Sequence, residues 1–264
     1  MFLGKMLLRI TLINFLVSAL LAADNSITIT KPISDLPHQS GTIQRVLWQI
    51  SDKIRGDLQI VILRNQRYQV HLEDQSITFP VGALFIKQMR ERQKDAIIAI
   101  NGGYFDQKFN TLGLLQVAGV TLQPVSDKKP LSGIVAINQQ GVLTLGLRDV
   151  DLTQQQYAIQ AGPYIIDPGG VLGVQPTAAR APRTIIAINA QRDLVLIIAK
   201  AFTLHEVANF MLSQTELLGG SPIERALNLD GGPSTGMSCS LPGWDLNERG
   251  PIRNALVFTA PSQP

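Results

Sequence analysis

Apolar runs of four to eight residues, each closed by Gly, Pro, Asn, Asp or a charged turn, recur along the chain and limit what it can fold into. They occupy residues 58–63, 68–72, 96–100, 133–138, 142–147, 159–166, 184–189, 194–199, 226–229 and 255–259. Runs this short and this rich in Ile, Val and Leu have strand length rather than helix length. Several are apolar at consecutive positions, which predicts sheet covered on both faces. The first two flank the polar turn at residues 64–66 and read as a hairpin. The expected class is α+β: a strand-dominated, mixed-sheet domain with a few packed helices. No fixed-period repeat, low-complexity segment or internal linker divides it.

Helical signals are few. Residues 81–92 place Leu84, Phe85 and Met89 at helical spacing and end in a basic cluster suited to a helix C-terminus. Residues 204–218 carry a fuller signature: Thr203 as N-cap, Glu206 at the third helical position, and Gly219 and Gly220 as stop signals. Residues 43–50 are compatible with a short amphipathic helix. Residues 26–41, polar and holding Pro32 and Pro37, read as a lead-in segment.

At the N-terminus, Lys5 and Arg9 precede an apolar stretch that ends in Ala22 and Ala23. That is the layout of a secretory signal, and its apolar part is shorter than the roughly 20 residues of a membrane span. The expected organisation is a signal at residues 1–23, a lead-in with its short helix at 24–57, and one catalytic-type domain at 58–264. Cleavage removes two positive charges and no acid, so the formal charge of +3 falls to +1. A nucleic-acid partner has no electrostatic support, and no stable membrane span remains. The lone Cys239 excludes an internal disulfide and is expected to be buried.

Two segments share a form in which an apolar strand delivers a polar residue and two glycines: Asn101-Gly102-Gly103 and Asp230-Gly231-Gly232. Paired glycines let backbone approach a ligand and offer N–H groups to an anion. Asn-Gly between strands is equally a hairpin turn; Asp230, followed by Ser234 and Thr235, is the more distinctive. Arg183, behind Pro182 at the start of a strand, has the planar fork that suits phosphate if it points inward. Glu206 is explained by a capping box. The segment 232–236 matches Gly-x-Ser-x-Gly, but no helix follows and no histidine lies downstream of Ser234, so a nucleophile elbow is disfavoured. Trp244, in a Pro/Gly loop, reads as an anchor more than a sugar platform.

Taken in order, Asn101-Gly102-Gly103-Tyr104-Phe105, Gly162-Pro163, Pro182-Arg183-Thr184, Thr203-Leu204-His205-Glu206, Leu229-Asp230-Gly231-Gly232 and Asn254-Ala255-Leu256 resemble the phosphodiester glycosidase family. The chain departs from that pattern at Pro233 and Ala187, where the family often has glycine. The resemblance implies hydrolysis of a sugar-1-phosphodiester between the anomeric carbon and the phosphate oxygen, with a sugar-phosphate or glycan as substrate. It marks Asp230, Glu206, Arg183 and Asn101 as catalytic candidates. Gly102, Gly103, Tyr104, Gly231, Gly232, Ser234 and Thr235 are its substrate-binding candidates. Arg183 would hold the phosphate, and Asp230 or Glu206 would serve the sugar as nucleophile or base. No cofactor or metal is expected, although Asp106 and Asp230 could share a cation if brought together. The alternatives are a non-catalytic periplasmic binding protein for sugar-phosphate envelope components and a hydrolase with Ser234 as nucleophile.

The N-terminal layout predicts a periplasmic or secreted protein. Cell fractionation with mass determination of the N-terminus is expected to find it outside the cytosol and shortened near Ala23; intact protein in the cytosol would overturn this expectation.

Overall fold

The computed structural model describes residues 26–51, 54–75 and 84–261. The signal expected at residues 1–23 lies outside them. In chain order the first strands are β1 (Ser26–Asp35), β2 (Gly41–Ser51), β3 (Ile54–Leu63) and β4 (Gln69–Asp74), then helix α1 (Ile86–Arg92) and β5 (Ala96–Asn101). Two hairpins and a strand that inserts between them follow: β6 (Leu115–Val117), β7 (Val120–Gln123), β8 (Gly133–Asn138), β9 (Leu143–Gly146) and β10 (Gln155–Ala161). The chain continues through β11 (Tyr164–Asp167), β12 (Val171–Leu172), β13 (Ala181–Asn189), β14 (Leu194–Phe202) and helix α2 (Leu204–Ser213). It ends with β15 (Ile223–Asn228), β16 (Met237–Cys239) and β17 (Asn254–Thr259).

Three sheets result, ordered β1-β2-β3-β14-β13-β15-β11-β12, β7-β6-β10-β8-β9 and β16-β5-β17-β4. Strands dominate and two α-helices pack on them, as the α+β expectation has it. The mixed-sheet part of that expectation is corrected, because every pairing among the described strands is antiparallel.

Consecutive apolar residues are explained by two-sided cover. In β13, Ile186 and Ile188 enter the central core shared by the three sheets, whereas Ile185 and Ala187 face a second core roofed by Val207, Phe210 and Met211 of α2. In β17, Leu256 and Phe258 enter the central core, and Ala255 and Val257 meet Ile86 and Met89 of α1. The period of two is thus intact, with both phases apolar.

Four local expectations change. Residues 43–50 are strand rather than helix: β2 is paired on both edges, by β1 and β3, with Ile43 in the central core and Val46 and Trp48 in the second. The lead-in is β1 along much of its length. The expected hairpin does not form, because both edges of β3 are taken by β2 and β14; β4 pairs with β17 in another sheet. The run 159–166 divides at Gly162-Pro163 into β10 and β11.

The helices hold more closely. α1 covers Ile86–Arg92 of the expected 81–92, whose first three residues lie outside the described set, and Glu248 Oε1 accepts from the Ile86 amide at 2.6 Å. α2 has the full capping box: the Glu206 amide donates to Thr203 Oγ1 at 3.1 Å and the Thr203 amide to Glu206 Oε2 at 2.9 Å. It ends at Ser213, and a 3-10 turn (Thr215–Leu218) completes the expected span. Among the described residues no helix is long and apolar enough to cross a membrane.

The central core sets stability. Ile186 is fully buried in β13, so Ile186→Ala is expected to cost about 2–5 kcal/mol. Denaturant unfolding would register this as a lower midpoint with an unchanged slope.

Candidate active site

The two glycine motifs meet. β5 and β15 belong to different sheets, and their C-terminal ends converge so that the Asn101-Gly102 backbone lies against Asp230. The Asp230 amide donates to the Gly102 carbonyl at 3.0 Å, and Asn101 Nδ2 donates to the Asp230 carbonyl at 2.7 Å. Asn101 Oδ1 accepts from Thr184 Oγ1 at 2.6 Å and from the Gly236 amide at 3.3 Å. Both ends of the Asn101 side chain are therefore engaged by the fold, and one of them ties it to the Asp230 backbone.

The Gly102 amide donates to the Asn254 carbonyl at 2.8 Å and the Gly103 amide to Asn254 Oδ1 at 2.8 Å. The expectation that these amides serve a phosphate is corrected: both donors are already engaged. Gly102 is needed for close approach, since a β-carbon there would lie 2.1 Å from Asn254 Oδ1.

The Asp230 side chain is supported by its own loop. Its Oδ1 accepts from the Gly231 amide at 2.8 Å, and Ser234 gives it a side-chain hydrogen bond. Burial nevertheless raises its pKa, the two hydrogen bonds opposing the shift. Gly232, at φ +61°, faces open space, so the loop leaves room beside the carboxylate. Thr235 is buried, and its hydroxyl has no partner among the described residues.

Arg183 flanks this loop. Its Nη2 donates to the Ala179 carbonyl at 3.1 Å and its Nε to that of Phe202 at 3.4 Å. A β-carbon at Gly231 would sit 3.0 Å from the Pro182 carbonyl and 3.9 Å from Arg183 Nη1, which fixes the loop against the arginine. Burial lowers the Arg183 pKa, yet a guanidinium stays charged in proteins.

Tyr104 completes the cluster: its hydroxyl donates to the Gly162 carbonyl at 2.6 Å and accepts from Asn228 Nδ2 at 2.6 Å. Burial, reinforced by the negative charge of Asp230 and opposed by Arg183, holds the phenol above its ordinary range. Tyr104 thus feels both charges.

Other candidates are engaged by their own surroundings. Glu206 closes the capping box and ion-pairs with Arg180, so both its oxygens are engaged. His205 is within hydrogen-bonding distance of Asn209, one turn along its own helix. Asp106 accepts from Lys108 and Asn110 within its own turn. Trp244 is buried with Lys31 over its ring at 3.7 Å, an anchor, and Cys239 is buried as expected.

Sequence reasoning missed Asn228 and Asn254 as framework residues. Each stands at the end of an apolar run, which was the available signal. Asn228 Oδ1 and Asn254 Nδ2 are buried without partners among the described residues.

Fold and site define a class of antiparallel β-sheet protein in which two glycine motifs meet where β5 and β15 end. The zebrafish N-acetylglucosamine-1-phosphodiester alpha-N-acetylglucosaminidase catalytic domain, solved auto-inhibited by its pro-peptide, shares the fold. Its TM-score is 0.63 at 15% identity over 91% of this chain and 89% of that one. A hypothetical protein from Synechocystis gives 0.63 at 16% identity, over 87% of this chain and 64% of the other. No curated protein is significantly similar in sequence. The model of the phosphodiester glycosidase family matches residues 94–259, and the chain belongs to that family.

The raised Asp230 pKa means that the folded protein holds this proton more tightly than the unfolded chain. The stability it contributes is present at low pH and is lost as pH rises from the ordinary carboxylate range through the raised value. Asp230→Asn is therefore expected to melt at or above the wild-type temperature near neutral pH, with the difference shrinking below about pH 4. Calorimetry across pH checks this; a variant that melts lower at neutral pH would make Asp230 a structural residue.

Proposed function

We propose that this protein is an exported hydrolase that cleaves a sugar-1-phosphodiester between the anomeric carbon and the phosphate oxygen. The observation that carries the reading is that Arg183 lies against Gly231, the residue after Asp230, and that both charges act on Tyr104, in a chain of the phosphodiester glycosidase family. Backbone carbonyls hold Arg183 Nε and Nη2, and Nη1, beside the open glycine loop, has no partner among the described residues. That corner of the fork is available to a phosphate oxygen.

The leaving group is a phosphate monoester whose second pKa is about 6, so it departs with little help from a general acid. The remaining demand is on the sugar, where positive charge develops as the bond breaks. An ionised Asp230, positioned by Asn101 and Gly102, stabilises that charge without having to reorganise. Glu206, held by Thr203 and Arg180, keeps the end of α2 and the 179–183 segment in place beside Arg183.

The test is turnover of a panel of sugar-1-phosphodiesters by purified protein, following release of free sugar and phosphate monoester. Asp230→Asn is expected to abolish release while the fold persists. Arg183→Lys, which keeps the charge and loses the fork, is expected to lower kcat/KM by roughly 10-fold to 100-fold. Wild-type rates from a folded Asp230→Asn protein would defeat the assignment.

A further inference from the structure

Tyr104 has a second neighbourhood. It borders a cleft of about 460 Å³, within the size range of small-ligand sites. Leu112, Val125 and Leu131 supply apolar wall, and Lys128 and Lys129 stand at the exposed rim. Asp127, between Ser126 and the two lysines in sequence, is not part of the wall. Thr111, also on the wall, has a buried hydroxyl with no partner among the described residues.

The loop that carries the lysines is held firmly. Gln160, fully buried, donates through Nε2 to the Ser126 and Leu131 carbonyls at 2.7 and 2.9 Å, and its Oε1 accepts from the Ser126 amide at 2.8 Å. Arg148 Nε donates to the Leu131 carbonyl at 2.8 Å, and Nη2 to that of Lys128 at 3.4 Å. A buried amide and a guanidinium are thus both committed to the shape of this wall. Tyr104 lines the cleft and also takes part in the site cluster, bonded to Gly162 and Asn228 and within reach of the charges of Asp230 and Arg183, so the two places share this residue.

We propose that this cleft receives the aglycone of the sugar phosphodiester and favours one with an apolar body ending in a second phosphate. The inference rests on the function proposed above. The apolar wall fits the body, and two adjacent ammonium groups match the charge of roughly −1.5 to −2 on a terminal phosphate near neutral pH. Lysines at an exposed rim give selectivity through charge, so the preference weakens as salt rises.

Two measurements test it. The first compares kcat/KM on a sugar-1-phosphohexyl diester and on the same diester bearing a phosphate at the far end of the hexyl chain, in wild type and in Lys128→Ala/Lys129→Ala. The terminal phosphate is expected to raise kcat/KM by roughly fivefold to tenfold in wild type at low salt, and the ratio to approach one in the double variant. The second is calorimetric binding of hexane-1,6-diol bisphosphate and of hexyl phosphate to both proteins, with the bisphosphate bound more tightly by wild type alone. Turnover of both diesters at equal efficiency, or a bisphosphate bound no better than hexyl phosphate, overturns the cleft assignment and leaves the hydrolase reading intact. No turnover of either diester, with lysine-dependent bisphosphate binding retained, counts against the hydrolase reading and supports the cleft as an anion-selective site.

Discussion

The side chain of Asn101 is the point on which the rest of the site depends. One amide group ties the end of β5 to Thr184 in β13, to the Gly236 amide and to the Asp230 carbonyl, so it joins strands of two sheets where they come closest. The geometry works because Asn presents both donor and acceptor on a planar group and because Gly102 has no β-carbon to strike Asn254. Asp230 then hangs between two backbone bonds, one to the Gly102 carbonyl and one from Asn101. A buried polar group that leaves partners unpaired costs about 1–3 kcal/mol, which makes this junction expensive to alter and keeps the carboxylate where it is.

Strand content and cover were readable because they follow from one-dimensional pattern. The alternation of Ile185 and Ala187 against Ile186 and Ile188 already required apolar contact on both sides, and the structure supplies α2 on one face and the three-sheet core on the other. The Thr203–Glu206 capping box was equally local and formed as expected. Pairing was not local. Whether residues 58–63 fold back on 68–72 depends on what else competes for the edge of β3, and β14, some 130 residues later in the chain, takes it. Residues 43–50 became strand for a similar reason: with β1 and β3 on either side, tertiary pairing outweighs a weak helical pattern.

Asparagine shows where site reading from sequence stops. Five apolar strands have an Asn at one end: Asn101, Asn138, Asn189, Asn228 and Asn254. In Asn138 and Asn189 the side-chain oxygen accepts from amides two and four residues on, as a turn requires. Asn101, Asn228 and Asn254 instead reach across to other elements. The residue type and its place at a strand end are the same in both groups, so only the three-dimensional neighbours separate turn from framework. The same holds for the paired glycines: Asn101-Gly102-Gly103 and Asp230-Gly231-Gly232 look alike as motifs, yet the first holds the second.

Electrostatics explains why such a junction would be kept. Burial raises the Asp230 pKa and lowers that of Arg183, so each charge is held at some cost. Among the described residues no ion pair joins them, although Arg183 lies against the glycine that follows Asp230. A fold selected for stability alone would let the two side chains neutralise one another or replace them with apolar groups. Here backbone carbonyls anchor the guanidinium and Asn101 anchors the carboxylate's backbone, so each charged residue is held by its own neighbours rather than by the other. In the hydrolysis proposed above, a ligand that brings an anion to Arg183 and develops positive charge beside Asp230 would satisfy both, and the electrostatic cost carried by the free protein would become differential stabilisation of the reacting state.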